Sequence, residues 1–210
     1  KKGFFFDTMI SVSIYCDSKE QGEKLLDEVF AMCGGYENTF SRTKEESELY
    51  RLNHRTENEV SVSDDLYALL ACAKEYYDKT DGRFDISVAP LSDIWDFKSE
   101  NPKVPDAGQI KKVLEKVDYS LVHLEPDNTV RFDEQDTMLD LGALAKGYIA
   151  DRLKEYLVSQ GIESGFINLG GNVLTIGEKE DGSPWEIGIQ KPFAERNKIV
   201  SYVDSVGTSV

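Results

Sequence analysis

The segment LDLGALAKGY, residues 139–148, has the residue types and spacing of an anion-binding turn. An apolar strand is predicted to end at Asp140, and an amphipathic helix follows with Lys146 in its first turns. The start of a helix presents unpaired backbone N–H groups and the positive end of its dipole, and both favour phosphate. Gly142 and Gly147 remove side chains where a ligand would approach. The segment therefore predicts an anion site suited to phosphate.

Simpler interpretations of this segment stay open at the level of sequence. Gly142 would then only open a buried helix, and Lys146 would be a solvated lysine. Asp140 lies between two leucines, so it is either an N-terminal cap or a polar group that faces a ligand. The segment matches neither the P-loop pattern nor the GxGxxG fingerprint, which disfavours the common nucleotide-binding folds. The sequence NLGG, which ends in a pair of glycines, follows about twenty residues later, at 168–171.

Two other segments carry polar residues that need an explanation. Asp85, within GRFDISVAPLSDIW at 82–95, has apolar neighbours, where an unpaired carboxylate would be costly, so we expect a hydrogen-bond partner or a ligand. A turn, a strand and a packed aromatic corner form the simpler interpretation of that segment. For FSRTKEESELYRLN at 40–53 the simpler interpretation is a solvated charged loop. His54 and His123 lack the neighbours of a metal or acid–base site, and we assign them no role.

The charge of the chain limits its partners. Its 210 residues carry a formal net charge of −15, with 39 carboxylates against 24 lysine and arginine residues. Nucleic-acid binding is disfavoured, because it depends on lysine and arginine to neutralise phosphates. An anionic small ligand would need local help from a helix N-terminus, a lysine or a divalent cation.

Cysteine usage and hydropathy exclude two further classes. Cys16, Cys33 and Cys72 are an odd set without CxxC spacing, so neither a disulfide framework nor a zinc ribbon is indicated, and we expect small buried apolar side chains. No run approaches the roughly 20 apolar residues of a membrane span, and no signal peptide is recognisable. We expect both ends of the protein to lie outside this sequence.

Strands, helices and turns alternate along the chain in a way that would position these segments. Predicted strands are at 4–15, 60–62, 84–86, 166–171, 185–190 and in the last ten residues, and a predicted hairpin joins 120–124 to 130–132. Predicted helices open at Ser18 and Glu20, at the N-cap Ser63, near 106–116 and after Asp140, and a short helix follows residues 40–47. The only linker-like patch is 101–108. We therefore expect a mixed α+β fold with mostly antiparallel sheet and flanking helices, in two closely packed lobes.

Five blocks, in order, resemble the FAD:protein FMN transferases, the ApbE-like flavin transferases once described as thiamine-biosynthesis lipoproteins. The blocks are FDTMI at 6–10, FSRTKEESELYRLN at 40–53, GRFDISVAPLSDIW at 82–95, LDLGALAKGYIAD at 139–151 and INLGGN at 167–172, with WEIGIQKP at 185–192 as a weaker sixth. The resemblance covers nearly the whole chain. It identifies residues 1–210 as a flavin transferase domain that lacks its C-terminal third.

The resemblance implies a Mg²⁺-dependent enzyme that binds FAD as its substrate, with the nucleotide site between the two lobes. Such an enzyme transfers the FMN moiety to a threonine or serine hydroxyl of an acceptor flavoprotein and releases AMP. It also implies an outward-facing, membrane-anchored lipoprotein, in which the only membrane contact is a lipid anchor outside this chain. Two other activities stay open: Mg²⁺-dependent FAD hydrolysis, and a flavin store or carrier without transferase activity. An acidic interaction domain without a small-molecule site is the remaining alternative.

The resemblance also assigns site residues, position by position. The flavin nucleotide would contact Phe6, Thr43, Phe84, Asp85, Ile86, Asp140 and Lys146. Ala143 would bind Mg²⁺ through its backbone carbonyl, a ligand that this oxygen-seeking cation accepts. The catalytic base is unknown, and the base and the remaining Mg²⁺ ligands are expected beyond Val210. Asp7 stands where the family commonly has glycine, and Thr43 where an aromatic residue is frequent.

Overall fold

The computed structural model describes residues 1–96, 99–100, 102–195 and 198–210. Its helices are α1 (Lys19–Phe40), α2 (Glu48–Asn53), α3 (Asp64–Lys79), α4 (Ala89–Trp95), α5 (Ala107–Leu114) and α6 (Ala145–Ser159). Its strands are β1 (Lys2–Phe5), β2 (Thr8–Ile14), β3 (Glu59–Ser61), β4 (Val122–Glu125), β5 (Thr129–Phe132), β6 (Gly165–Leu169), β7 (Asn172–Ile176), β8 (Trp185–Gln190) and β9 (Ile199–Ser205).

The chain divides into two compact units. The first unit comprises Lys1–Tyr36 and Lys146–Val210, and the second comprises Glu37–Ala145. Each pair of neighbouring strands in the described residues is antiparallel. The expected α+β class with mostly antiparallel sheet is therefore confirmed. The expected place of the nucleotide stays a prediction.

A four-stranded sheet in the order β1-β2-β6-β7 forms the first unit's core. Ile10 lies opposite Leu169, and Val12 lies opposite Ile167, and all four side chains are buried. Alternating burial along β6 is the pattern of a strand with one face in the core. The periodic apolar residues of α6, which are Ile149, Leu153 and Leu157, are also buried.

The predicted strand at 4–15 is wrong as a single element, because the chain reverses at Phe6 and Asp7. Phe5 pairs with Thr8, so two residues connect β1 to β2. Both have positive φ, 53° at Phe6 and 58° at Asp7, as a type I′ hairpin turn requires. Glycine adopts this conformation more readily than aspartate.

The second unit contains the sheet β3-β5-β4 together with α2 to α5. Ser63 is the N-cap of α3, as predicted, and its hydroxyl accepts a hydrogen bond from the Leu66 N–H group at 3.3 Å. The predicted hairpin at 120–132 is confirmed as β4 and β5. Asp106 begins α5 with a capping box, in which Gln109 closes the reciprocal bond.

Residues 84–86 do not form the predicted strand. Asp85 is extended, but Ile86–Val88 is a 3₁₀ turn that leads into α4, and Pro90 lies in the first turn of that helix. Proline is tolerated at this point because it has no N–H group to leave unpaired. The aromatic corner predicted at 90–95 is thus helical.

The remaining strands, β8 and β9, pair with each other in a two-stranded ribbon. The predicted strand at 185–190 is confirmed as β8. The strand predicted for the last ten residues ends at Ser205, and the chain then returns to β7, where Val173 and Val210 exchange backbone hydrogen bonds of 3.0 and 2.8 Å.

Three smaller expectations have mixed outcomes. Of the cysteines, only Cys33 is buried, whereas Cys16 is exposed and Cys72 is partly exposed, and all three are free thiols. The linker-like patch at 101–108 begins with Asn101, which lies outside the described residues, and its last two residues begin α5. Across the described ranges, none of the helices combines the length and the apolar character that a bilayer crossing demands.

Candidate functional site

The turn that leads into α6, residues 139–145, is held at its start by a side chain from α2. Asn53 donates a hydrogen bond from its amide nitrogen to the Leu139 carbonyl at 2.8 Å. Its amide oxygen accepts one from the Leu139 N–H group, also at 2.8 Å. Both residues are buried, so the pair satisfies backbone groups that water does not reach.

The next residue joins this turn to the 3₁₀ turn before α4. The Asp140 N–H group donates to the Ile86 carbonyl at 2.7 Å. The Leu141 carbonyl then accepts from the N–H groups of Leu144 and Ala145, at 3.0 and 2.8 Å, and so begins α6. The structure thus brings together two of the predicted site residues, Ile86 and Asp140, through their backbones.

The two carboxylate oxygens of Asp140 have different partners. Oδ1 accepts a hydrogen bond from the Gly142 N–H group at 2.8 Å, which closes a short turn ahead of the helix. Oδ2 lies 3.1 Å from Nε of Arg42. Asp140 therefore caps the turn at Gly142 and not α6, which begins at Ala145, so its prediction as a helix N-cap is wrong. Oδ2 forms an ion pair that the sequence did not indicate.

Arg42 is shared between two carboxylates of the second unit. Its Nε faces Asp140, and its Nη1 lies 2.5 Å from Oδ1 of Asp93 in α4. The Arg42 side chain is 23% exposed, and those of Asp140 and Asp93 are 24% and 49% exposed. The three groups carry a formal charge of −1 together. Arg42 thus neutralises about half of the negative charge beside the turn.

Asp85 has the hydrogen-bond partners that its apolar neighbours require. Oδ1 accepts from the N–H and hydroxyl groups of Ser87, at 2.7 and 2.6 Å, and Oδ2 accepts from the Tyr119 N–H group at 3.1 Å. Burial, and secondarily the charge of Asp85, raises the pKa of Tyr119 above its usual range. Its hydroxyl donates to the Leu70 carbonyl at 3.0 Å. Asp85 therefore caps the 3₁₀ turn at Ile86–Val88 and ties it to a second 3₁₀ turn, Tyr119–Leu121, that precedes β4.

Ile86 and Phe84, on either side of Asp85, expose different groups. The Ile86 side chain is buried, so its backbone is the part that a ligand would meet. Phe84 is half-buried, and its ring lies 6.0 Å from that of Tyr76. Its N–H group donates to the Thr80 hydroxyl at 2.9 Å. Phe84 thus offers a partly exposed aromatic ring at the end of α3.

Thr43 is exposed in the loop between α1 and α2, and that loop has a defined structure. The Ser41 hydroxyl accepts hydrogen bonds from the N–H groups of Thr43 and Lys44, at 3.3 and 3.1 Å. Ser47, which is fully buried, donates its hydroxyl to the Ser41 carbonyl and caps α2. The interpretation of residues 40–53 as a solvated charged loop is therefore wrong, because hydrogen bonds of Ser41, of the buried Ser47 and of the buried Asn53 organise them.

Phe6 and Lys146 belong to the first unit. Phe6 is half-buried at the tip of the β1–β2 hairpin, with its ring 6.3 Å from that of Phe5. Lys146 is half-buried and is the second residue of α6. In the same unit, residues 170–171 form the β6–β7 turn, where the Gly171 N–H group donates to the Asn168 side chain at 2.8 Å. The INLGGN block is thus explained locally as a hairpin.

Ala143 is exposed in the turn before α6. Among the residues that the structure describes, no three His, Cys, Asp or Glu side chains lie close enough together to hold a metal ion. A Mg²⁺ ion prefers six oxygen ligands, so the described side chains alone would not complete its coordination.

Neither histidine takes part in this arrangement. His54 stacks on Tyr50 with ring centroids 3.9 Å apart, and its Nδ1 lies 2.8 Å from the Tyr50 carbonyl. His123 pairs with Asp133 across the β4–β5 hairpin at 2.7 Å. Both histidines thus have local structural partners.

The sequence reasoning missed two residues of this site, Asn53 and Arg42. Asn53 lies four residues after Leu49, on the buried face of α2, and a polar residue on a buried helix face signals a long-range partner. Arg42 gave no comparable signal, because a single arginine in a charged segment is usually solvated.

Comparison with curated proteins gives consistent relatives. The chain is 37% identical over 190 residues to a FAD:protein FMN transferase of Klebsiella pneumoniae, covering 90% of this chain and 58% of that protein. It is 31% identical over 203 residues to one of Treponema pallidum, covering 88% of this chain and 56% of that protein. The chain thus spans a little over half the length of these relatives.

Comparison with solved structures supports the same family. The ApbE protein of Thermotoga maritima matches with a TM-score of 0.89 at 27% identity, over 100% of this chain and 68% of that one. The flavin transferase ApbE of Vibrio cholerae matches with a TM-score of 0.80 at 27% identity, over 91% and 63%. The profile of the ApbE family matches residues 6–210. The chain, with its Asn53-anchored turn before α6, belongs to the ApbE family.

Proposed function

We propose that this chain catalyses the transfer of the FMN moiety of FAD to a threonine or serine hydroxyl of an acceptor flavoprotein, with release of AMP. Relatives over 30% identical are named FAD:protein FMN transferases, and they support the proposal. The observation that carries it is the turn at 139–145, whose backbone is fixed by Asn53 and Ile86 where α6 begins. A helix start with a fixed approach suits a diphosphate.

The proposed reaction is a displacement at phosphorus. The acceptor hydroxyl oxygen forms a bond to the flavin-side phosphorus of FAD, and the bond from that phosphorus to the bridging oxygen breaks, so AMP leaves. The hydroxyl proton passes to a base that we do not assign. Positive groups near the diphosphate would stabilise the charge on the leaving phosphate. Lys146 and the N–H groups of the first turn of α6 are the groups that this chain would supply.

The residues assigned by resemblance have distinct proposed roles. Phe6 and Phe84 would supply aromatic surface for the flavin, and Thr43 would supply a small exposed side chain where the family often has an aromatic ring. Asp85 and Asp140 would act mainly by shaping backbone, because their oxygens already accept hydrogen bonds from Ser87 and Gly142. The backbone of Ile86 completes this set.

Mg²⁺ dependence is part of the proposal. A bound Mg²⁺ would neutralise diphosphate charge and polarise the reacting phosphorus. The Ala143 carbonyl is the ligand that this chain would supply, and diphosphate oxygens, water or groups outside the described residues would complete the coordination. We further propose an extracytoplasmic, lipid-anchored setting for the whole protein, which rests on resemblance alone.

A direct experiment uses the full protein with FAD, Mg²⁺ and a purified acceptor flavoprotein domain. We expect the acceptor to gain the mass of a phosphoester-linked FMN, and AMP to appear in equal amount. An acceptor whose threonine or serine is replaced by valine should gain no mass. Addition of EDTA should stop the transfer, and excess Mg²⁺ should restore it.

Other outcomes distinguish the alternatives. FMN and AMP without any acceptor would indicate FAD hydrolysis. Stoichiometric FAD that stays intact with a competent acceptor would indicate a flavin store or carrier. If FAD does not raise the melting temperature, flavin binding itself is contradicted, because a ligand specific to the folded state must stabilise it.

A further inference from the structure

We propose that Arg42 is a positioning and charge-balancing residue that allows the turn at 139–145 to accept an anionic flavin. The inference rests on the proposed function and adds a determinant of ligand charge. Its basis is the ion-pair triad, in which one guanidinium faces Asp140 at 3.1 Å and Asp93 at 2.5 Å. Resemblance assigned neither Arg42 nor Asp93 to the site.

The backbone around Arg42 is fixed before any ligand binds. Ser41 accepts hydrogen bonds from the N–H groups of Thr43 and Lys44, and the buried Ser47 hydroxyl donates to the Ser41 carbonyl. The guanidinium therefore starts from an organised loop. The planar guanidinium also loses less entropy per hydrogen bond than a lysine ammonium would when its ion pairs form.

The position of the Asp140 carboxylate depends on both of its partners. Oδ1 is held by the Gly142 N–H group and Oδ2 by Arg42. Without Arg42, the Asp140 carboxylate would keep its negative charge, but Oδ2 would lose its ion-pair partner. The side chain would then be free to turn away from the geometry that leads into α6.

Charge gives Arg42 its second role. The triad of Arg42, Asp93 and Asp140 has a formal charge of −1, and loss of the guanidinium would make it −2. An FAD diphosphate brings negative charge of its own, in a chain whose net charge is already −15. The repulsion would weaken binding of an anionic flavin and would be larger at low ionic strength.

FAD and riboflavin separate these roles from simple loss of structure. Both carry the same isoalloxazine ring, and riboflavin has no phosphate. A collapsed site would bind both flavins poorly, whereas an unbalanced charge would weaken FAD binding alone. Equilibrium binding, followed by flavin fluorescence at low and high salt, therefore tests the assignment without measuring transferase activity.

The test compares Arg42→Gln with Arg131→Gln in the full protein. Arg131 is a matched control, because its guanidinium also pairs with two carboxylates, Glu125 and Asp133, on the β4–β5 hairpin. For Arg42→Gln we expect FAD to bind about tenfold more weakly and riboflavin to change less than about twofold. The deficit should shrink at high salt, and Arg42→Lys should recover part of it. Arg131→Gln should leave both affinities unchanged.

A second variant keeps the test decisive if Arg42→Gln does not fold. Asp93 is half exposed, so Asp93→Asn should fold, and it leaves Arg42 to balance one carboxylate. We expect FAD to bind about threefold more tightly, with riboflavin unchanged. Asp133→Asn, beside Arg131, is the matched control and should change neither affinity.

Each result supports or overturns a definite claim. If the unaltered protein binds neither flavin, the proposed function fails, and the role of Arg42 fails with it. If the unaltered protein binds FAD but neither Arg42→Gln nor Asp93→Asn changes the FAD affinity, only the role of Arg42 is overturned. Equal weakening of FAD and riboflavin in Arg42→Gln would reduce Arg42 to a structural ion pair.

Discussion

The side-chain amide of Asn53 forms hydrogen bonds with both backbone groups of Leu139, each 2.8 Å long and both buried. This pairing joins the end of α2 to the turn before α6 across 86 residues of sequence. The start of the turn is therefore fixed by a residue far away in the sequence and not by its immediate neighbours. The first prediction follows from it.

Replacement of Asn53 by alanine should destabilise the protein by about 2 to 4 kcal/mol, because it leaves a buried N–H and a buried carbonyl of Leu139 unpaired. Urea unfolding measures this loss. Asn38→Ala, at an exposed asparagine bonded to Lys44, is the control and should cost less than about 1 kcal/mol. Equal stability of the two variants would contradict the role given to Asn53.

Arg55 should not be replaceable by lysine. Its guanidinium lies 3.4 Å from the centre of the Phe132 ring and donates to backbone carbonyls of Leu52, Glu134, Gln135 and Thr137. Burial lowers the pKa of Arg55 to about 10, with Asp136 opposing that shift. We expect Arg55→Lys to lose about 2 to 3 kcal/mol of unfolding free energy, because lysine lacks the planar fork.

Arg83 provides the control for that substitution. The Arg83 side chain is exposed, and its Nη1 lies 3.5 Å from Oδ2 of Asp81, which is exposed as well. Arg83→Lys should change stability by less than about 0.5 kcal/mol. A similar small effect at Arg55 would show that its carbonyl partners contribute little.

Replacement of Gly147 by alanine tests whether this glycine serves the fold or leaves room for a ligand. A Cβ atom there would meet no neighbouring atom within 4 Å, so helix propensity predicts that Gly147→Ala stabilises α6 by about 0.5 to 1 kcal/mol. If the first turn of α6 admits a flavin nucleotide, the same variant should bind FAD more weakly. Thermal unfolding and flavin fluorescence measure the two effects.

Gly170 is the contrasting position. Its φ is +70°, and a Cβ atom would lie 2.5 Å from the Thr8 side chain. We expect Gly170→Ala to destabilise the β6–β7 turn by about 1 to 3 kcal/mol. Unchanged FAD affinity in Gly147→Ala, together with higher stability, would rule out close ligand approach at that glycine.

Tyr156 should make stability depend on pH in the alkaline range. Its hydroxyl donates to the Glu28 carboxylate, and burial, followed by this bond and the charge of Glu28, raises the pKa of Tyr156 from 10.0 to about 12. The folded state keeps the proton more tightly than the unfolded state does. The resulting stabilisation is complete below pH 10 and is lost as pH rises through about 12.

Urea unfolding across that pH range tests this expectation. Tyr156→Phe should flatten the pH dependence, because phenylalanine does not titrate. Glu28→Gln should reduce it in part, since it keeps a hydrogen-bond acceptor and removes the charge. A slope that is the same in all three proteins would exclude Tyr156 as its source.

Local signals predicted the elements whose structure depends on near neighbours. Ser63 and Asp106 begin α3 and α5 because a short polar side chain can accept a hydrogen bond from the next turn. The β4–β5 hairpin followed from β-forming residues on either side of a turn. The reversal at Phe6 and Asp7 escaped notice because phenylalanine is not typical of a turn with positive φ, and a single aspartate within a run of β-forming residues does not mark a turn by itself.

The candidate site was less accessible to sequence reasoning. Its location could be predicted, since a glycine-containing turn before a helix has a recognisable pattern. Its internal partners could not, because Arg42 and Asp93 are 51 residues apart in the sequence and Asn53 meets a backbone group that has no residue signature. Asp85 illustrates the intermediate case: the need for a partner was predictable, but its identity, Ser87 and the backbone of Tyr119, was not.

The Asn53–Leu139 pairing restricts substitutions at its two positions unequally. The amide of Asn53 reads main-chain atoms, which every amino acid except proline provides, so the pairing tolerates other apolar residues at position 139 that fill the same volume. At position 53 the geometry of a carboxamide of that length is required, and no compensating change at 139 can replace it. Homologous chains should therefore vary among apolar residues at position 139 and retain asparagine at position 53.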